Sequence, residues 1–205
     1  MKDPSLSEKI AEKKGTVLKG GTLSIPYMGN EYLFDVSIGE KGEFRSPELK
    51  MSRKILLLHY VTTGWETLED PNAEKSSTVG IQAGPPGRWT AFADLPGAHT
   101  YKPTYRKRGP LRIIGRYGAN PEALLEFSGE PWFVPGDELS GAEKYGDLSI
   151  GVKAFPRVPV LVVLYRGDDE FPPEGNILFG KDVLHHLPLE DVAVLAGEIA
   201  SHLRC

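Results

Sequence analysis

The amino-acid sequence predicts an α+β fold, with mostly antiparallel hairpin strands, a buried central helix and a C-terminal amphipathic helix. Three observations carry this. Strand-type runs follow one another across short turns instead of alternating with helices in a βαβ rhythm. The run ILLLHYV (55–61) is apolar on nearly every side, as a helix buried on most of its surface would be. From Pro188 to Leu203, Val192, Leu195, Ala196, Ile199 and Leu203 recur at helical spacing, with Glu190, Asp191 and Glu198 expected to face outward. A length of 205 residues with no internal repeat suits a single domain spanning 1–205.

Taken in order, residues 5–14 predict a short polar helix capped by Ser5 or Ser7. Val17 to Ile25 and Glu31 to Ile38 read as two strands joined by a turn at Met28-Gly29-Asn30. Ser46 followed by Pro47 marks a helix start, because proline's fixed φ and missing N–H suit the first helical position. That helix should run through Thr63 and stop at Gly64. Residues 65–88 are polar and rich in Gly, Pro and Ser, and read as an excursion. Trp89 to Leu95 suits a short strand or a helical turn. Thr100 to Tyr117 is helical in pattern, broken or capped at Pro103 and Pro110, and Pro121 to Phe127 adds a short helix. Leu148 to Phe155 and Val158 to Tyr165 should pair across Pro156-Arg157 as the central hairpin.

Composition excludes several classes. The formal charge of −4 argues against a general nucleic-acid binder. The one cysteine, Cys205, rules out an internal disulfide and leaves no iron–sulfur cluster or four-cysteine zinc site within the chain. A reducing, cytoplasmic location is the simplest expectation. The N-terminal run MKDPSLSEKIAEKKG is charged and lacks an apolar core, so a signal peptide is not expected. The longest apolar run, Val158 to Tyr165, is far short of the ~20 residues that span a bilayer, so no membrane partner is expected.

Four features could carry chemistry. Between Pro96 and Pro121 lie Lys102, Arg106, Lys107, Arg108, Arg112 and Arg116, without an acidic residue. Arginine forks suit carboxylate or phosphate, and Tyr105 and its neighbours offer flat surfaces to a planar ligand. The plainer reading is a solvated basic face paired with the acids that follow, Glu122 to Glu138. His59, inside the apolar helix, could be a haem or cobalamin ligand, a metal ligand or a base, or a core histidine bonded to a carbonyl. His185 and His186 point about 100° apart if helical, so at most one faces a given site. The acidic loop Asp168-Asp169-Glu170 follows an apolar strand, a rigid mount for a divalent metal, although the spacing matches no calcium loop. No phosphate loop, nucleophile elbow or dinucleotide fingerprint is present.

Four stretches resemble a family known as domain of unknown function 3786: KILLLHYVTTG (54–64), WTAFADLPGAHTYKPTYRKRGPL (89–111), FPRVPVLVVLYRGDDEFPPEGNILF (155–179) and HHLPLEDVAVLAGEI (185–199). GDDEFPPEGNILF is the most specific. The resemblance implies a setting in anaerobic bacteria and archaea, in redox or corrinoid metabolism, with an iron–sulfur or corrinoid protein as partner. It supplies no catalytic residues.

Three expectations follow, and the sequence leaves open whether the chain is an enzyme. The first is a binding module for an anionic planar cofactor, a tetrapyrrole or corrinoid such as haem or cobalamin. Here Tyr105, Arg106, Arg108 and Arg112 would hold the ligand, and His59 or His185 its metal. The second is an enzyme using Asp168, Asp169 and Glu170 with a histidine and a divalent metal. The third is an accessory protein that docks a redox or methyl-transfer partner through Trp132.

Overall fold

The computed structural model of the chain describes residues 11–36, 42–63, 89–140 and 144–204. The expected caps at Ser5 and Ser7, the end of the second strand at Ile38, the stop at Gly64, the excursion over 65–88 and Cys205 lie outside them. The described part is α+β, with two antiparallel sheets and a layer of helices.

The first sheet has the order β1 (Val17–Lys19), β2 (Thr22–Tyr27), β3 (Asn30–Asp35), β4 (Glu43–Phe44). Both of its leading turns are two residues long with positive φ: Gly20-Gly21 at 55° and 80°, Met28-Gly29 at 45° and 74°. That backbone twist matches the right-handed twist of the flanking strands. The stretch 17–25 is therefore two strands and not one, because Gly20-Gly21 reverses the chain. Gly29 is required twice over, since a Cβ there would also lie 2.6 Å from Pro131 Cγ.

The second sheet has the order β5 (Trp89–Ala91), β9 (Glu174–Gly180), β8 (Val158–Tyr165), β7 (Leu148–Phe155), β6 (Phe133–Pro135). The β7–β8 hairpin forms where the sequence places it. Seven of the eight β8 residues have buried, mostly β-branched or leucine side chains or, at Pro159, a half-buried ring, as a central strand requires. The sheets meet where the Met28 N–H donates to the Ala154 carbonyl (2.9 Å) and the Tyr27 ring lies 4.7 Å from that of Phe155.

The helices are α1 (Met51–Thr62), α2 (Lys102–Arg108), α3 (Pro110–Tyr117), the short α4 (Gly136–Ser140) and α5 (Leu189–His202). No helix among the described residues is long and apolar enough to cross a membrane. Val192, Leu195, Ala196 and Ile199 of α5 pack into the main core with Val160, Val162 and Ile177 of the large sheet. Helices α2 and α3 lie to one side of α5: Arg108 packs over Gly197, and Arg116 and the Tyr117 hydroxyl donate to the Leu203 carbonyl (2.9 and 3.0 Å). Helix α1 meets α5 through Arg53–Glu198 and His59–Asp191.

Two expectations change here. Helix α1 begins at Met51, after a turn at Pro47-Glu48, and buries only Leu56, Leu57 and Tyr60, with Met51 69% and Ile55 41% exposed. A continuous apolar run sweeps round a helix, but only the side toward the core finds partners. Trp132 is 2% exposed, packed against Phe127 and His202, so it cannot serve as a docking anchor.

Candidate functional site

Helix α2 begins at Lys102 with Pro103 in its first turn and breaks at Gly109, and Pro110 then opens α3. Gly109 is there because a Cβ would stand 3.0 Å from Ala196 and 3.1 Å from Ile177, so the chain turns directly over α5 and β9. The bend leaves a cavity of about 450 Å³ between α2, α3 and the segment 172–176 entering β9, with Ala91 and Ala93 at its edge. Its apolar wall is Leu111, Ile114, Pro172 and Pro173; its polar groups are Lys102, Arg106, Glu174 and Asn176. Lys102 and Arg106 are four residues apart on one face of α2 and make no salt bridge among the described residues.

Tyr105 stands at the cavity's base, 6% exposed. Its ring stacks on Phe92 (4.3 Å, 10°), and its hydroxyl is 2.9 Å from both the Ile177 carbonyl and Asn176 Oδ1. Burial pushes its pKa up, so it remains a neutral donor. One face of the ring expected to stack on a ligand is thus covered by Phe92, and its hydroxyl is held at β9.

The other basic residues do not converge on it. Arg112 donates to Ser201 Oγ (3.3 Å), and Arg116 to the Ala200 and Leu203 carbonyls. These close the C-terminal end of α5, where cations meet the negative end of the helix dipole. Arg108 runs along α5 at Gly197. Nor does Glu122 pair with the basic stretch; its partner is Arg166.

The histidines divide differently. His185 is exposed, and the inward member of the pair is His186, 8% exposed. Its Nδ1 lies 3.3 Å from the Nζ of Lys14 and its Nε2 3.5 Å from Asp182. Burial is the largest cause holding its pKa below the ordinary value. His59 is half-exposed and bonds no backbone carbonyl among the described residues. Its Nδ1 is 2.6 Å from Oδ2 of Asp191, a carboxylate only 5% exposed. Burial raises the Asp191 pKa, opposed by the His59 hydrogen bond. Neither His59 nor His185 lines the cavity.

In the acidic loop, Asp168 Oδ1 accepts the N–H groups of Phe171 (2.7 Å) and Glu170 (2.9 Å), which lower its pKa. The carboxylate braces its own turn. Asp169 and Glu170 are exposed. Among the described residues, no three His, Cys, Asp or Glu side chains gather where they could hold a metal ion.

Asp191 and Glu198 are the residues that sequence reasoning missed. Expected to face outward, they instead meet α1, Asp191 at His59 and Glu198 at Arg53 (2.5 Å). A signal exists: Arg53 and His59 are six apart on α1, while Asp191 and Glu198 are seven apart on α5. Basic side chains on one helix and acids on another at nearly equal intervals suit two antiparallel helices side by side.

No curated protein and no solved structure matches the chain. The family model described as Domain of unknown function (DUF3786) matches residues 7–202, nearly the whole length. The chain therefore belongs to that family of uncharacterised proteins.

Proposed function

We propose that this chain is a binding module for an anionic ligand with a flat apolar body, seated in the cavity between α2, α3 and residues 172–176. The observation that carries the reading is the pairing of two cations that make no salt bridge among the described residues, Lys102 and Arg106, with an apolar wall of Leu111, Ile114 and the two prolines. A volume of about 450 Å³ lies in the range of small-molecule sites. One carboxylate or phosphate would sit between Lys102 and the Arg106 fork, with the apolar body against the prolines. The Asn176 amide nitrogen would donate to, and the Glu174 carboxylate accept from, polar groups at the ligand's rim.

A tetrapyrrole or corrinoid is the class we put forward, because it combines a flat ring with peripheral acid or amide groups. The anaerobic redox or methyl-transfer setting implied by the family resemblance supports that choice. A cavity of this size would take one edge of such a ring.

Visible absorption titrations with haem and with cobalamin test the class. The expected result is a saturable band shift with one of them that weakens at least tenfold in the double variant Lys102→Gln/Arg106→Gln. A flat titration with both would exclude these macrocycles. An equal shift in the double variant would place binding elsewhere.

A further inference from the structure

The buried carboxylate of Asp191 has one partner among the described residues, and that partner is open to solvent on its far side. Asp191 sits in the first turn of α5, where the helix dipole favours a negative charge. The His59 side chain is 46% exposed, against 7% for Asp191. With Asp191 ionised, the 2.6 Å contact requires the hydrogen on Nδ1, which leaves the lone pair on Nε2. No hydrogen bond or ion pair occupies Nε2 among the described residues. The orientation is that of a metal-binding imidazole, whose other ring N–H is typically held by a carboxylate.

A plain helix–helix tie does not account for this arrangement. Arg53 and Glu198 already join α1 to α5. A solvated surface pair would leave its acid in water, yet here the acid is buried and the base exposed. The donor set also limits what can bind. A bare divalent ion needs three or four protein donors, and the described residues gather no such group. A single braced nitrogen suffices only for a metal that arrives with most of its positions filled.

We propose that His59 Nε2 is a one-donor coordination site for a metal complex that carries its own chelating ligands and has one position held by an exchangeable water. Asp191 is its positioning residue. Binding forms one nitrogen–metal bond and releases one metal-bound water, with no change in oxidation state. The site is independent of the α2–α3 cavity, none of whose lining residues comes from α1 or α5.

The probe is copper(II) iminodiacetate, titrated above the pH range where imidazoles are protonated and followed by the broadening of each histidine ring in NMR spectra. His59 should broaden at lower probe concentration than the exposed His99 and His185, and its ring should carry its hydrogen on Nδ1. Asp191→Asn, which keeps the shape and an acceptor, should weaken binding at His59 by about tenfold or more. His59→Gln should abolish it, and Arg106→Gln should leave it unchanged. Should Asp191→Asn fail to fold, Asp191→Glu carries the same test by displacing the carboxylate. Three results would each overturn the proposal: no preference for His59, a hydrogen on Nε2, or loss of the preference in Arg106→Gln.

Discussion

Truncating Tyr60 to alanine is expected to lower the free energy of unfolding by about 3–5 kcal/mol, the range for large aromatic side chains removed from a core. Tyr60 is fully buried, and its ring stacks on Phe155 at 4.1 Å and 14°. Its hydroxyl donates to the carbonyl of Lys14, whose Nζ lies 5.3 Å from the ring centroid. One side chain on α1 thus contacts the end of the β7–β8 hairpin and the segment leading into β1. Tyr60→Phe keeps the stack and should cost about 1 kcal/mol, the worth of one hydrogen bond. Urea unfolding of both variants separates the contributions. A loss below about 1 kcal/mol for Tyr60→Ala would mean that the stack is not part of the core.

Lys14→Met should do the opposite at neutral pH. Lys14 is 1% exposed, and burial, followed by the nearby Arg157 charge, brings its pKa from 10.5 down to about 8. At 1.36 kcal/mol per pH unit, that displacement costs the folded state about 3 kcal/mol at pH 7. Methionine fills a similar space without the charge, but gives up the hydrogen bond to His186, worth about 1 kcal/mol. The net gain is then about 2 kcal/mol. Its pH dependence is distinctive. Between pH 8 and 10.5 the unfolded chain holds the Lys14 proton more tightly than the folded one, so wild-type stability rises with pH across that window. The advantage of the methionine variant shrinks over the same interval. In acid, His186 imposes a second loss: its pKa is depressed in the fold, so stability falls as pH drops below about 6.5, its ordinary value. The Lys14 charge is one cause of that depression, so the variant should lose less stability there. Urea midpoints from pH 5.5 to 10.5 test all three statements, and a variant less stable than wild type at pH 7 would contradict them.

The parts of the fold legible in the sequence were those whose local chemistry and tertiary role agree. The β7–β8 hairpin has an alternating run before Pro156-Arg157 and a β-branched, apolar run after it, and the apolar spacing of α5 matches the face it buries. Strand β9 was not legible. It opens with Glu174-Gly175-Asn176, poor strand formers held extended by pairing with Tyr165, Leu164 and Val163 of β8. At Gly175 a Cβ would stand 2.9 Å from Leu164 Cδ2, so the residue is chosen by the neighbouring strand. The division of 17–25 had its sign in Gly20-Gly21, where two glycines permit the positive φ that reverses the chain. The basic stretch was visible as composition, but its division was not. Helical geometry sends Lys102 and Arg106 to the cavity and Arg112 and Arg116 to the end of α5. The role of Asp191 depends on which helix lies beside α5, which a pattern along one helix does not specify.

We propose above that the α2–α3 cavity recognises an anion on a flat apolar body. The most direct test is an amide NMR titration with naphthalene-2-carboxylate, compared with the uncharged naphthalene-2-methanol. The carboxylate should give saturable shifts at residues 91–93, 102–114 and 172–176, the alcohol much weaker ones, and Lys102→Gln/Arg106→Gln should lose the carboxylate response. Equal responses to the two probes, or shifts centred away from these residues, would contradict it.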